Sequence, residues 1–319
     1  MPGGPNDLVM LGTASQMPSR ERNHVGMVLR LEGATVLIDP GEGTQRQLLH
    51  TDRTVTALDA VCLTHLHGDH CLGLPGVLQS RAQERRDELL PLLFPAPSRD
   101  DLEHLLRAGL TSQPLPVRPI PVPGDGPVGE VAGLQVEAAV LDHPVPTVGW
   151  RFETPHRRHL LPDALDALGL EGPAVGELVR AGQITVHGRT VRMEDVSVHR
   201  PGFVVAVVLD TRLCDAAFAL ARDADLLVCE STFLAADTDL AEAYGHLTST
   251  QAAAIARDAG ARRLVLTHYS NRYPDEAEFA AEAAAVFPDV VAARDFDVVT
   301  FTRAPDVDDR PGRAGVPHD

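Results

Sequence analysis

The sequence contains no lysine: all 28 basic side chains are arginine. That absence is read as a matter of base composition, but the charge balance is informative. Against 45 acidic residues the arginines leave a formal net charge of −17, which argues against a polyanionic partner. A local basic patch or bound cations could reverse that field where it matters. No apolar run approaches the roughly 18 residues of a membrane span, so no membrane association is expected. Residues 1–7 lack a basic segment followed by an apolar one, so no secretory leader is expected. Cysteine is scarce. Cys62, Cys71, Cys214 and Cys229 form no C-x-x-C pair, which argues against a zinc knuckle, and free buried thiols in a cytoplasmic chain are the simpler reading.

What is present suits a globular fold. Hydrophobic residues make up 44% of the 319 positions, enough for one large α/β domain or two small ones. Short apolar, β-branched runs at 8–11, 27–31, 34–39, 60–64, 134–141, 203–209, 226–229, 264–267 and 298–301 read as strands. Helical patterns occupy 74–90, 213–222, 248–259 and 275–286. Strands dominate the first half, and strand and helix alternate in the second, so sheets layered with helices are expected, not a bundle. The stretch 156–200 is rich in glycine and proline and reads as an inserted arm with little core of its own and a small hairpin at 184–191. Residues 304–319, rich in Pro, Gly and Asp, read as a disordered tail.

The strongest signal is His65–Leu66–His67–Gly68–Asp69–His70. Four potential ligands in six residues follow a strand directly and cannot all face an apolar core. They sit at the carboxyl end of that strand, where α/β proteins place their sites. Three further apolar runs end the same way, at His143, at Asp210 and at His268. One such histidine is more often structural than ligating; three equivalent strand ends beside the first motif reverse that. Neutral imidazoles can hold zinc without cancelling its Lewis acidity, and one carboxylate can bridge two ions about 3.5–4 Å apart. Such a pair suits in-line displacement at phosphorus. Of the other histidines, His24, His50, His104, His156, His159, His187, His199 and His318 have no supporting context and read as surface or structural residues.

Outside the metal loop, Leu11–Gly12–Thr13, Pro18–Ser19–Arg20–Glu21–Arg22–Asn23, Gly41–Glu42–Gly43–Thr44–Gln45, Leu72–Gly73–Leu74–Pro75–Gly76 and Ser80–Arg81 are similar to motifs of ribonuclease Z. That endonuclease trims the 3′ end of precursor tRNA. The likeness runs from about residue 8 to 301. It implies a four-layer αββα metallo-β-lactamase sandwich over 1–303, with 156–200 as a protruding tRNA-binding arm. It further implies two zinc ions per subunit, with manganese or magnesium as substitutes. His65, His67 and His143 would hold one ion, and Asp69, His70 and His268 the other, with Asp210 bridging. Asp69 would also be the general base. Gly245–His246–Leu247–Thr248–Ser249 resembles the segment of a further catalytic histidine, with Glu230 as its acidic partner. Thr267–His268–Tyr269–Ser270–Asn271–Arg272–Tyr273 resembles the phosphate-contacting segment, in which Ser270 and Arg272 are suitable donors. Gly172–Pro173 lies in the arm that grips the tRNA elbow. The same likeness implies a cytoplasmic homodimer acting on precursor tRNA.

Three features depart from that pattern: Leu209 stands where glycine usually precedes the bridging aspartate, Phe94–Ser98 replaces a glycine-proline turn, and the arm balances six arginines with six acidic residues. The weakly basic arm keeps one alternative open, a zinc phosphodiesterase of the same branch with another substrate. A catalytically silent RNA-binding dimer partner is a third reading, opposed by the full ligand set.

Overall fold

The computed structural model describes residues 6–84, 88–109, 115–186 and 188–302. The tail expected at 304–319, together with His187 and His318, lies outside the described residues. Strands β1 (Asp7–Gly12), β2 (Gly26–Leu31), β3 (Ala34–Ile38), β4 (Ala60–Cys62), β5 (Leu90–Pro95) and β6 (Val117–Val122) run in order across one sheet. Strands β7 (Gly126–Val131), β8 (Leu134–Val140) and β9 (Val148–Glu153) begin a second. After the segment holding β10–β13, described below, β14 (Val204–Val208), β15 (Leu226–Glu230), β16 (Leu264–Thr267) and β17 (Val290–Ala292) complete it. Finally β18 (Val298–Thr300) returns to pair with β1, so each sheet has seven strands.

Both faces of these sheets are covered, which explains runs that are apolar throughout instead of alternating. Along β1, Leu8 and Met10 point between the sheets, and Val9 and Leu11 point outward. Along β14, Val205 and Val207 point between the sheets, and Val204, Ala206 and Val208 point outward. The central core joins the two sheets through Met27, Leu29, Val36, Trp150, Phe152 and Val228. An outer core seats Leu74, Val77 and Leu78 of helix Leu74–Glu84 on the first sheet. Another seats helices Asp215–Ala221, Ser249–Asp258 and Ala277–Ala284 on the second. Three apolar layers between four layers of elements make the αββα sandwich that was expected.

Two differences from the sequence reading have a physical cause. The helix expected at 74–90 is described over Leu74–Glu84, residues 85–87 lie outside the described residues, and β5 begins at Leu90. In the two large sheets, strands β5, β6, β7, β9 and β17 fall outside the runs read as strands. In β6 the prolines Pro119 and Pro121 break the pattern, yet β6 is an edge strand, where a missing N–H can face outward.

Residues 155–202 form a separate compact unit inserted between β9 and β14. There β10 (Arg157–Leu160) pairs with β13 (Ser197–Arg200), and β11 (Gln183–Val186) with β12 (Arg189–Arg192), the latter pair covering the expected hairpin. Gly172 and Pro173 open helix Pro173–Ala181, with proline at the first turn, where its missing N–H costs nothing. The unit has a small core of its own around Leu170, Leu178, Val191 and Val196.

Candidate metal centre

The seven ligand candidates come from four chain segments and meet at one point. Leu63 and Thr64 lead from β4 into His65, and Asp69 and His70 lie on the short helix Gly68–Cys71. His143 follows β8, Asp210 follows β14 and His268 follows β16. Glycine holds the loop in place: a Cβ on Gly73 would lie 2.0 Å from the Gly41 carbonyl oxygen, and one on Gly41 would lie 2.1 Å from that of Asp69. The two glycine motifs therefore let loops 39–43 and 65–73 pack backbone against backbone.

The donors divide into two sets. His65, His67, His143 and Asp210 converge, as do Asp69, His70 and His268, with the candidate ligand atoms of each set within 4.8 Å of one another. Asp210 faces both. Its Oδ2 lies 3.6 Å from His65 Nε2 and 3.8 Å from His143 Nε2. Its Oδ1 lies 3.3 Å from both His70 Nε2 and His268 Nε2. Asp69 Oδ2 is 3.5 Å from the same two nitrogens. The ring nitrogens also face each other, at 3.0 Å for His65 Nε2 and His67 Nδ1 and 3.2 Å for His70 Nε2 and His268 Nε2. Tetrahedral donors bound about 2.0–2.1 Å from a zinc ion lie about 3.3 Å apart, and these spacings would suit donors gathered around metal ions.

The outer nitrogens fix the tautomers. His70 Nδ1 meets Asp39 Oδ2 at 2.8 Å, and His143 Nδ1 meets the Gly245 carbonyl at 2.9 Å. His65 Nδ1 is 3.0 Å from Thr64 Oγ1, which donates its own proton to Asp39 Oδ2 at 2.5 Å. His268 Nδ1 is 2.9 Å from Thr232 Oγ1, which donates to Glu230 Oε2 at 2.6 Å. Each hydroxyl spends its hydrogen on a buried carboxylate, so it must accept from the imidazole. Each imidazole then carries its second N–H outward and turns the Nε2 lone pair to the centre, as ligation requires. Asp210 Oδ1 is buried with no hydrogen-bond partner. A carboxylate oxygen 3.3 Å from two imidazole nitrogens needs a cation between them or a proton on one of them, and the set of donors fits a metal.

Electrostatics agree. Burial, reinforced by neighbouring imidazoles, holds His65 well below the usual histidine range, and burial lowers His67 and His143 as well. These three are neutral donors. For His70, burial opposes the charge, but Asp210 and Asp69 outweigh it and push the group well up. Asp210 is held far below the carboxylate range by His268 and His70 despite burial.

His246 and Glu230 are brought together, with Nδ1 and Oε1 3.0 Å apart. Glu230 is fully buried, and it also accepts from the Thr211 amide at 2.8 Å. Burial disfavours the His246 cation, but the Glu230 carboxylate prevails and raises His246 to about 9. His246 follows Gly245, whose φ is +80° and where a Cβ would lie 2.8 Å from Pro144 Cδ. Glycine here lets the carbonyl reach His143.

The centre opens on a cleft of about 620 Å³ lined by His67, Asp69, His143, Asp210, His246 and His268. Ser270 and Arg272 line the same cleft, and the Arg272 guanidinium has no partner among the described residues. Gly172 and Pro173 belong to the inserted unit. Sequence reasoning missed several contributors. Asp39 ends a strand just as Asp210 does, and the strand-end rule applied once more would have found it. The cleft also takes Ser15, Gln16, Phe233 and Tyr244, and His24, which read as a surface or structural residue, lines it too; no local signal marks them. All four cysteines are free thiols.

The chain is similar to proteins of known kind. The family model described as anti-Pycsar protein Apyc1 matches residues 6–116. A ribonuclease Z of Salinispora arenicola is 49% identical over 92% of this chain and 95% of its own length. Among solved structures, human tRNase Z, short form, is 25% identical with a TM-score of 0.66, covering 93% of this chain and 100% of that one. Bacillus subtilis YhfI, a metallo-β-lactamase fold protein, has a TM-score of 0.68 at 21% identity, covering 92% and 98%, which speaks for the fold alone.

Proposed function

The chain belongs to the ribonuclease Z family, and from that premise we propose that it is the metal-dependent endoribonuclease that removes the 3′ trailer from precursor tRNA. The observation that carries the chemistry is the Asp210 carboxylate, split between two converging donor sets. His65, His67 and His143 would hold one zinc-class ion, Asp69, His70 and His268 the second, and Asp210 both. Bound there, the ions supply Lewis acidity that lowers the pKa of water and screens charge growing on the phosphate.

The chain's own residues orient and protonate. Arg272 and Ser270 are placed to hold a non-bridging phosphate oxygen. His246 Nδ1 is committed to Glu230, so its Nε2–H is the free donor and would protonate the leaving 3′ oxygen of the upstream nucleotide. Asp69 is held below the usual carboxylate range by His70 and His268, which outweigh burial. We assign Asp69 to ligation and, by the family likeness, to the role of general base toward the attacking water. The products are a 3′-hydroxyl tRNA and a 5′-phosphorylated trailer.

The finer points rest on the family likeness. We infer a homodimer, with Gly172–Pro173 and the rest of the inserted unit gripping tRNA, and a cytoplasmic setting consistent with four free thiols. No helix among the described residues is long and apolar enough to cross a membrane. Incubating the purified protein with 3′-extended pre-tRNA and mapping both ends tests the reading. A 3′-phosphate on the tRNA, or an untouched substrate beside hydrolysis of a simple phosphodiester, would overturn it.

A further inference from the structure

The chain has three tyrosines, and two of them are consumed by the fold. Tyr269 is fully buried and donates to the Leu266 carbonyl at 2.7 Å, and Tyr273 donates to Asp237. Tyr244 is different. The residue is 61% exposed, yet it lines the candidate catalytic cleft. Phe296, the other large aromatic side chain exposed among the described residues, packs against His50 and lines a different hollow.

Tyr244 also has a defined place in the fold. It is the last residue of helix Thr238–Tyr244, fixed by the left-handed turn at Gly245. One face lies parallel to Phe233, with 12° between ring planes and 6.4 Å between centroids. Phe233 is itself buried, and its centroid lies 6.2 Å from that of His246. An exposed ring parallel to a buried one, lining the cleft two residues from the candidate proton donor, is what a nucleobase stacks on. Every base has a π-face, so the contact tolerates sequence, as a processing enzyme with many substrates needs.

Accordingly, we propose that Tyr244 is the stacking platform for the base of the nucleotide whose 3′ oxygen leaves, the last nucleotide of the product RNA. The side is chosen by His246: the platform shares its turn with the group that protonates that oxygen, so the inference rests on the phosphodiesterase reading above. Tyr244 is a specificity and positioning residue and touches no reacting atom.

The test pairs Tyr244→Ala and Tyr244→Phe with three pre-tRNA substrates: intact, abasic at the last product nucleotide, and abasic at the first trailer nucleotide. Wild-type cleavage of the intact substrate checks the underlying reading by itself; its absence sinks both. Given that cleavage, Tyr244→Ala should lose roughly 5- to 150-fold in kcat/KM on intact substrate, and Tyr244→Phe should keep most of it. On the substrate abasic at the last product nucleotide, wild type and Tyr244→Ala should be equal. An undiminished Tyr244→Ala defect on that substrate would refute base stacking. A defect that disappears only with the abasic trailer nucleotide would refute the assigned side.

Discussion

Replacing His246 separates proton delivery from every other contribution of the centre. The imidazole is held by Glu230 at 3.0 Å and raised to about 9, so near neutral pH it is an imidazolium ready to donate through Nε2. General acid catalysis contributes typically about 10²–10⁴-fold. His246→Ala should therefore lower kcat on pre-tRNA by that order while both ions remain bound, because His246 is not needed to complete either donor set. On a nitrophenyl phosphodiester, whose leaving group needs no proton, the loss should fall to a few-fold. The pH profile gives a second handle. The acid form is present below the raised pKa and lost above it, so kcat on RNA should decline on the alkaline side, at or below about pH 9 because neighbouring cations lower an imidazolium. Glu230→Gln removes the stabilising carboxylate and should shift that decline toward lower pH. Metal analysis with steady-state kinetics on both substrates decides the matter. An equal loss on both substrates, or loss of metal from His246→Ala, would refute the proton-donor assignment.

Three other outcomes follow from the same geometry. Asp210→Asn weakens the charge shared by both donor sets, so elemental analysis should show both ions depleted and turnover lost; retention of two ions would end the bridging assignment. Asp39→Asn leaves every candidate ligand in place but weakens the hold on His70 and, through Thr64, on His65, so metal affinity measured by competition with a chelating dye should fall about 10–100-fold. Stripped of metal, the protein should be less stable in alkali: the raised His246 contributes stability that is whole below its unfolded value near 6.5 and lost as pH rises through about 9. That amounts to on the order of 3 kcal/mol. Because His65, His67 and His143 are lowered and lose stability toward acid, the measurement is chemical denaturation of the apoprotein, wild type beside His246→Ala, at pH 7.5 and pH 9.5; an equal change in both proteins would contradict the His246–Glu230 coupling.

How far the sequence could be read depends on what each residue needed in order to be visible. Most of the nine apolar runs were legible because strands covered on both faces keep few polar positions, and 134–141 because its buried residues alternate with exposed Gln135 and Glu137. The ligands were legible because imidazole and carboxylate at the ends of such runs have no apolar explanation. β6 was hidden by Pro119 and Pro121, which only an edge position tolerates. Leu209 was the opposite case. It departs from the family pattern beside a key ligand, yet its side chain is buried between the sheets and Asp210 beside it takes φ of +45°. The inserted unit was legible as an insertion from its glycines and prolines, but its core of Leu170, Leu178, Val191 and Val196 comes from residues too far apart to form a periodic pattern.

What local pattern cannot encode is the frame that aims the ligands. Asp39, Asp210 and His268 all adopt positive φ, at +46°, +45° and +64°, a conformation that costs L-residues of order 1 kcal/mol or more each. Asp39 and His268 directly follow strands locked in a sheet and are held by partners distant in the chain, while Asp210 stands one residue beyond its strand. Asp39 is tied to residues 64 and 70, and His268 is tied through Thr232 to Glu230. The two carboxylates play matching parts. Asp39 binds one imidazole directly and orients another through the Thr64 hydroxyl, while Glu230 binds His246 directly and orients His268 through the Thr232 hydroxyl. A threonine at either place is mute in sequence. Its role exists only because the sheets bring a buried carboxylate to one side of the hydroxyl and an imidazole to the other. At Asp39 and His268 the strain is thus supported by the same hydrogen bonds that select the ligating tautomers, and precision at the centre comes from the sandwich as a whole.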